Sequence, residues 1–215
     1  MKFIPAAVHH LNRADPVLRR LIERLGPCEL KRERETNQFG ALVDAIIYQQ
    51  LAYRAAQTIA NRFRLLYANP DGGRRGRLPR PEELLRTPGR KMRAAGLSRQ
   101  KIGYMRDLAR KAASGKLKLG RFGRLSDDEV IENLTQVKGI GRWTAEMFLI
   151  FSLGRPDVLP VDDLGVQYGF KDAYQLRALP SEKWMRRTAE PWRPYRTVAT
   201  WYLWKLRRVN TNADR

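Results

Sequence analysis

Apolar residues recur at helical spacing along most of the chain, and turn signals separate the periodic stretches. Val17, Leu18, Leu21, Ile22 and Leu25 fall on one helical face, with Asp15 at the N-cap position, Pro16 in the first turn and Gly26 as a stop. That spacing predicts an amphipathic scaffold helix, followed by a charged connector from Lys31 to Asn37. Between Phe39 and Tyr67 the pattern Leu42, Ile46, then Ile59, Phe63, Leu66 is interrupted at Tyr48-Gln49-Gln50-Leu51, which predicts two helices meeting at a polar break. Short helical turns are expected at Pro81 to Arg86 and Arg90 to Ala95, and a helix capped by Ser98 carries Ile102, Met105, Leu108 and Ala109. Ser126-Asp127-Asp128-Glu129 is a capping box ahead of Val130, Ile131 and Leu134. Further helices are read over Arg142 to Leu153, from Leu164, from Ser181, and over Tyr195 to Arg208, the last rich in aromatics. No strand set or repeat emerges, so the pattern points to an all-α protein.

The stretch 134–163 concentrates the candidate chemistry. Gly139 and Gly141 bracket Ile140 just before the helix that begins at Arg142. Glycines there allow a tight turn and present backbone N–H groups at a helix start, where unpaired donors and the helix dipole favour an anion such as a nucleic-acid phosphate. Taken alone, the same pair is also compatible with an ordinary structural turn. After that helix, closed by Gly154, comes Pro160-Val161-Asp162-Asp163, two carboxylates near the first turn of the next helix. By themselves they also read as simple helix caps.

Composition narrows the partner. The 215 residues are enough for one sizeable core or two small lobes, and the formal net charge of +20 implies an anionic partner, nucleic acid or an acidic membrane surface. No apolar run is long enough for a spanning helix, and the start MKFIPAAVHH lacks a signal-peptide pattern, so an intracellular protein is expected. Cys28 is the lone cysteine, which rules out an internal disulfide and a cysteine-ligated zinc or iron–sulfur site. His9 and His10 have no metal-ligand spacing to other residues and read as an exposed pair. The Gly/Pro/Arg-rich stretch Asp71 to Pro81 reads as a solvated loop.

The pattern Leu134-x-x-Val137-x-Gly139-Ile140-Gly141-x-x-Thr144-Ala145, followed by Pro160-Val161-Asp162-Asp163, resembles the helix-hairpin-helix DNA glycosylases, and most closely their 3-methyladenine DNA glycosylase II (AlkA/Mag) branch. The segments AIIYQQLAYRAAQTI, GLSRQKIGYMRDLA and WRPYRTVATWYLW resemble the same family, so the likeness spans roughly Phe39 to Arg208. It implies an all-α, two-lobed fold with the active-site cleft between the lobes. The residues ahead of the likeness are too few for the N-terminal β domain that some members carry. We expect residues 1–37 to form an N-terminal helix and connector packed on the main body. Residues 38–215 would form the glycosylase core, with the hairpin at 134–145 and the catalytic loop at 155–166.

The resemblance also implies roles. Asp163 matches the catalytic aspartate, with Asp162 as the second choice and otherwise a cap or tie of the loop. Gly139, Ile140, Gly141, Arg142 and Thr144 form the DNA-binding hairpin, and the carbonyls of Thr135, Val137 and Ile140 are placed to hold a monovalent Na⁺ or K⁺; no other cofactor is expected. Gln50 or Leu51 wedges into the minor groove, although the usual serine after the pair is Ala52. Trp143 and Trp204 line the base pocket, whereas Trp201 and Tyr202 read as core. Met147 replaces an aromatic and Gly165 a larger apolar residue, which suggests a more open pocket.

Bifunctional relatives carry a lysine nucleophile where this chain has Trp143, so hydrolysis without strand cleavage is expected. The expected reaction is excision of flipped-out alkylated purines, 3-methyladenine and 7-methylguanine, from double-stranded DNA in base excision repair. The enzyme is expected as a monomer, without a membrane, in the cytoplasm and nucleoid of a bacterium or the nucleus of a eukaryote. The alternatives are a glycosylase for another damaged base and a non-catalytic DNA-binding module, which the hairpin and the charge also fit.

Overall fold

The computed structural model describes residues 1–32, 37–68 and 76–213. Its helices are α1 (Ile4–Ala14), α2 (Pro16–Leu25), α3 (Gln38–Tyr48), α4 (Tyr53–Leu65), α5 (Pro81–Arg86), α6 (Gly89–Ala94), α7 (Arg99–Ala113), α8 (Asp127–Thr135), α9 (Arg142–Phe148), α10 (Leu164–Ala173), α11 (Glu182–Thr188) and α12 (Arg196–Ala213). No strand occurs among the described residues, as the patterning predicts. The charged connector and the basic loop lie partly outside them, the connector at 33–36 and the loop at 71–75.

Helix starts are closed by the side chains the sequence marks. Asp15 Oδ1 accepts the N–H of Val17 at 2.8 Å, Ser98 accepts that of Lys101 at 3.1 Å, and Ser126 exchanges bonds with Glu129 in a full capping box. Each satisfies donors that a helix start otherwise leaves unpaired. Differences from the sequence reading are local. An additional first helix, α1, begins with a proline in its first turn and no side-chain cap, and a short 3₁₀ turn forms at Leu119–Arg124. The predicted helix over Arg142 to Leu153 is α-helical only to Phe148 and continues as a π-helical turn, Leu149–Leu153. Arg155 N–H then bonds the Leu149 carbonyl at 2.9 Å across Gly154, whose φ of +70° ends the run.

The chain divides into two units, Arg34–Phe148 and a second made of Met1–Glu33 with Leu149–Arg215. In the discontinuous unit, Ala7 and Leu11 of α1, Leu18 of α2, Val166 and Phe170 of α10, and Val198, Tyr202 and Leu203 of α12 are fully buried in one cluster. Asp15 knots this core. While its Oδ1 caps α2, its Oδ2 accepts the Tyr174 hydroxyl at 2.5 Å and the Trp192 indole N–H at 2.9 Å. Burial first, and then the Asp15 carboxylate, push the Tyr174 phenol far above its ordinary value, so it remains a donor. His10 belongs to this unit too: its Nε2 lies 2.9 Å from the Pro191 carbonyl and its ring meets Tyr195 edge-on, so it is half-buried and not the exposed residue the sequence suggests.

The continuous unit buries Leu42, Ile46 and Ile47 of α3, Phe63 of α4, Met105 and Leu108 of α7, and Leu134 of α8. The α3–α4 junction falls at the predicted polar break.

Candidate active site

In the discontinuous unit, the loop from Gly154 to Asp163 is stitched to the start of α12. Asp157 takes the Arg196 guanidinium through both carboxylate oxygens, at 2.7 and 2.9 Å, and also Arg193 at 2.7 Å. Thr197 accepts the Val158 N–H at 2.9 Å and donates to the Arg155 carbonyl at 2.8 Å. Gln167 reaches back from α10 to the Val161 carbonyl, and Asp163 N–H closes a turn on Pro160. Paired ions with two parallel bonds fix direction as well as distance. The loop that carries the acid pair is therefore rigid at both ends.

Asp163 stands at the end of that loop. Its Oδ1 accepts the Val166 N–H, capping α10, and the Trp204 indole N–H, both at 2.8 Å. Trp204 in turn stacks on Phe151, with ring centroids 5.9 Å apart and planes 14° apart. Gly165 explains how they meet: a Cβ there would lie 3.0 Å from both Asp163 Oδ1 and Trp204 Cδ1. A side chain at this position would press on the indole edge and the carboxylate, so the glycine serves their contact. The cap role corrects an expectation, since Asp163 and not Asp162 caps the helix, and Asp162 is exposed.

The hairpin lies in the other unit, between α8 and α9. Val137 N–H bonds the Leu134 carbonyl and Ile140 N–H bonds that of Val137, each at 3.0 Å, so the turn is tight. Gly139 has φ +81°, and a Cβ on it would fall 2.1 Å from the Tyr104 ring of α7. No other residue fits there, on both backbone and steric grounds. Asp107, one turn further along α7 and 6% exposed, accepts the Lys138 N–H at 2.9 Å and pairs with Lys111. Burial opposes its ionisation, but those hydrogen bonds prevail and hold the carboxyl below its ordinary value.

Within the hairpin the expected residues divide. Gly141 and Arg142 are exposed, and Arg142 bonds Glu146 one turn on at 3.0 Å. Ile140 and Thr144 are buried, and the Thr144 hydroxyl accepts the Gln49 amide at 3.3 Å, so its side chain serves the interior of the unit. Thr135 is in the last turn of α8, where carbonyls lack an intrahelical partner, and Val137 retains a second lone pair beyond its bond to Ile140; this chemistry suits a weakly held monovalent cation. Trp143, 43% exposed, and Met147 are one turn apart on α9.

At the α3–α4 junction Gln50 has φ +55°, unusual for a residue with a side chain, and Leu51 and Tyr53 are exposed large hydrophobics. Lys101 of α7 donates to the carbonyls of Ile47 and Gln49 at 2.7 and 2.8 Å, and burial keeps its ammonium below the ordinary lysine value. Sequence reasoning gave no role to Gln49, Lys101, Asp107, Asp157 or Thr197, although all lie in segments it singled out, because each acts through a bond to a residue remote in the chain.

Residues 43–194 match the HhH-GPD superfamily of base excision DNA repair proteins. The chain belongs to this family. Among its HhH-GPD relatives, the DNA-3-methyladenine glycosylase 1 of Schizosaccharomyces pombe is 39% identical over 202 residues, 93% of this chain and 86% of the relative. A solved structure of that organism's 3-methyladenine DNA glycosylase in complex with abasic DNA superposes with a TM-score of 0.79, covering 93% of this chain and 95% of that one. A DNA-3-methyladenine glycosidase from Bacillus halodurans, 38% identical, gives a TM-score of 0.85 over 96% of this chain and 91% of its own. Membership of this family thus accounts for the all-α architecture. No described helix is long and apolar enough to cross a membrane.

Proposed function

We propose that this protein is a monofunctional DNA glycosylase that hydrolyses the N-glycosidic bond of alkylated purines, 3-methyladenine and 7-methylguanine, in double-stranded DNA. The observation that carries the reading is the anchored carboxylate of Asp163, whose Oδ1 accepts two N–H donors at 2.8 Å. The names and lengths of the relatives support it, since the likeness covers most of both chains.

As the base departs, positive charge builds on the deoxyribose. A carboxylate held in one orientation stabilises that charge without reorganising, and it can orient and deprotonate the attacking water. Asp163 takes this role; Asp162 is the second candidate. An alkylated purine is electron-poor, often cationic, and an aromatic face attracts it by about 0.5–2 kcal/mol. Trp143 supplies such a face, and Trp204 combines a pocket role with its bond to the acid. Because a stacked base is out of reach, the nucleotide must leave the duplex, with Gln50 and Leu51 filling the gap. The hairpin N–H groups and Arg142 hold phosphate, and the carbonyls of Thr135, Val137 and Ile140 would hold Na⁺ or K⁺, which would supply a further positive charge for an anionic backbone. Trp143 stands where a Schiff-base lysine is needed for strand cleavage, so water is the nucleophile. The enzyme acts as a monomer on cellular DNA.

The test is release of free base from methylated duplex DNA by the wild type, Asp163→Asn and Asp162→Asn. We expect release of 3-methyladenine by the wild type and by Asp162→Asn, its loss in Asp163→Asn with DNA binding retained, and a backbone that stays intact until treated with alkali. Tight binding without release by any form would replace the enzyme with a binding module.

A further inference from the structure

We infer that Lys101 and Gln49 are positioning residues that lock the turn 49–52 to the hairpin, so that gripping phosphate and opening the base pair become one event. The inference rests on the reading of that turn as the minor-groove wedge. Three residues on one face of α7 meet the two elements. Lys101 binds the carbonyls of Ile47 and Gln49 at the end of α3, Tyr104 packs under Gly139, and Asp107 holds the Lys138 N–H of the hairpin. Spaced three apart, they share one stripe of the helix. Gln49 closes the loop from the other side: its amide donates to the Gly139 carbonyl at 2.8 Å and to Thr144 Oγ1 at 3.3 Å.

The turn needs such support. Gln50 adopts φ +55°, a conformation that costs free energy for any residue with a Cβ and persists only where the surroundings enforce it. The start of α4 has Ala52 at its N-cap position, with no side-chain capping bond to hold it. The end of α3 has no basic residue in its own last turn, and the Lys101 ammonium supplies the missing positive charge to its terminal carbonyls. A wedge that enters a base stack must resist being pushed back. A main chain clamped by a desolvated ammonium, with its neighbouring side chain bonded to the hairpin, provides that resistance.

The experiment compares wild type, Lys101→Met, Lys101→Arg and Gln49→Leu on duplexes carrying 2-aminopurine beside a methylated purine. Fluorescence reports unstacking and base release is followed in the same samples. For Lys101→Met and Gln49→Leu we expect affinity for undamaged duplex within about twofold of wild type, because the phosphate contacts persist. The fluorescence rise should be lost and single-turnover release from a paired lesion should fall about tenfold, the scale of one hydrogen-bonded contact. Placing the lesion opposite an abasic site, where no pair has to be opened, should restore most of the rate, and Lys101→Arg, which can still donate to both carbonyls, should recover part of it.

A simple loss of fold would lower undamaged-DNA affinity and would not be rescued by the unpaired substrate; that result overturns the inference, as does wild-type unstacking by both variants. Should Lys101→Met fail to fold, Gln49→Leu carries the same comparison with the lysine intact. Unstacking by the wild type without base release would reject the glycosylase reading while still testing the clamp, and wild type that neither unstacks nor excises rejects both.

Discussion

At the scale of single residues, the site depends on an indole that does two jobs. Trp204 stacks on Phe151 and donates to Asp163, so Trp204→Phe keeps the stacking and deletes the hydrogen bond. A hydrogen bond to a charged acceptor contributes about 1.5–3 kcal/mol, so the variant should melt several degrees lower, and losing that orientation should lower base release by about tenfold or more at a temperature where both forms are fully folded. Gly165→Ala attacks the same contact by sterics, since its Cβ would come within 3.0 Å of both partners. Alanine is the better helix former by about 1 kcal/mol, so a variant that is as stable as wild type yet slower would separate catalysis from folding. Equal rates for wild type and both variants, measured in single turnover, would remove Trp204 from the positioning of the acid. The sequence already marked Asp163, Trp204 and Gly165, because all three fall at family positions. It could not disclose that Gly165 is small to admit Trp204, since that contact joins residues about forty positions apart.

At the scale of elements, the predictions concern how a helix or turn is held. Gly139→Ala meets both a left-handed backbone and the Tyr104 ring, so we expect a stability loss well above the 1–2 kcal/mol of the backbone term alone, measured by denaturant unfolding, together with weakened DNA binding. The start of α5 makes a pH prediction. Hydrogen bonds from Arg77 first, and then from the Arg80 N–H, hold the Glu83 carboxyl down at about 2. A carboxyl with a lowered folded-state value stabilises the fold above the ordinary glutamate range, and that contribution fades as the pH falls from about 4.5 to about 2. Glu83→Gln should therefore melt at a lower temperature than wild type at pH 7, with the gap closing by pH 2. Because the Arg77 side chain is 45% exposed, the gap is small and shrinks further in salt. Element boundaries were largely legible, because caps such as Asp15, Ser98 and Ser126 are local signals. The π-helical turn after α9 and the first helix were not, as neither has a distinctive side-chain cap and both depend on packing within their unit.

At the scale of the whole molecule, the excess charge sets how the protein meets DNA. With a net charge of +20, the proposed function predicts that association begins as a search along undamaged duplex held by phosphate contacts, since the described structure offers hairpin amides and arginines and the proposed reaction needs only damage, not sequence, to be read. Each phosphate neutralised releases counterions, so log Kd against log salt should be linear with a slope of about 0.9 per contact. Arg142 is exposed beside the hairpin, and Arg142→Ala should weaken undamaged and damaged duplex alike and reduce that slope by about one unit. Asp163→Asn should leave the slope unchanged, because in the proposed reaction the carboxylate acts on the sugar and a carboxylate neutralises no phosphate. Its removal also takes away a negative charge, so binding of the substitution should be as tight as wild type or tighter while base release is lost. Titrations of labelled duplex at several salt concentrations separate the two variants: a common slope for wild type and Arg142→Ala would show that the hairpin arginine does not contact phosphate. A shallow slope for all forms would mean that the charge serves some end other than DNA.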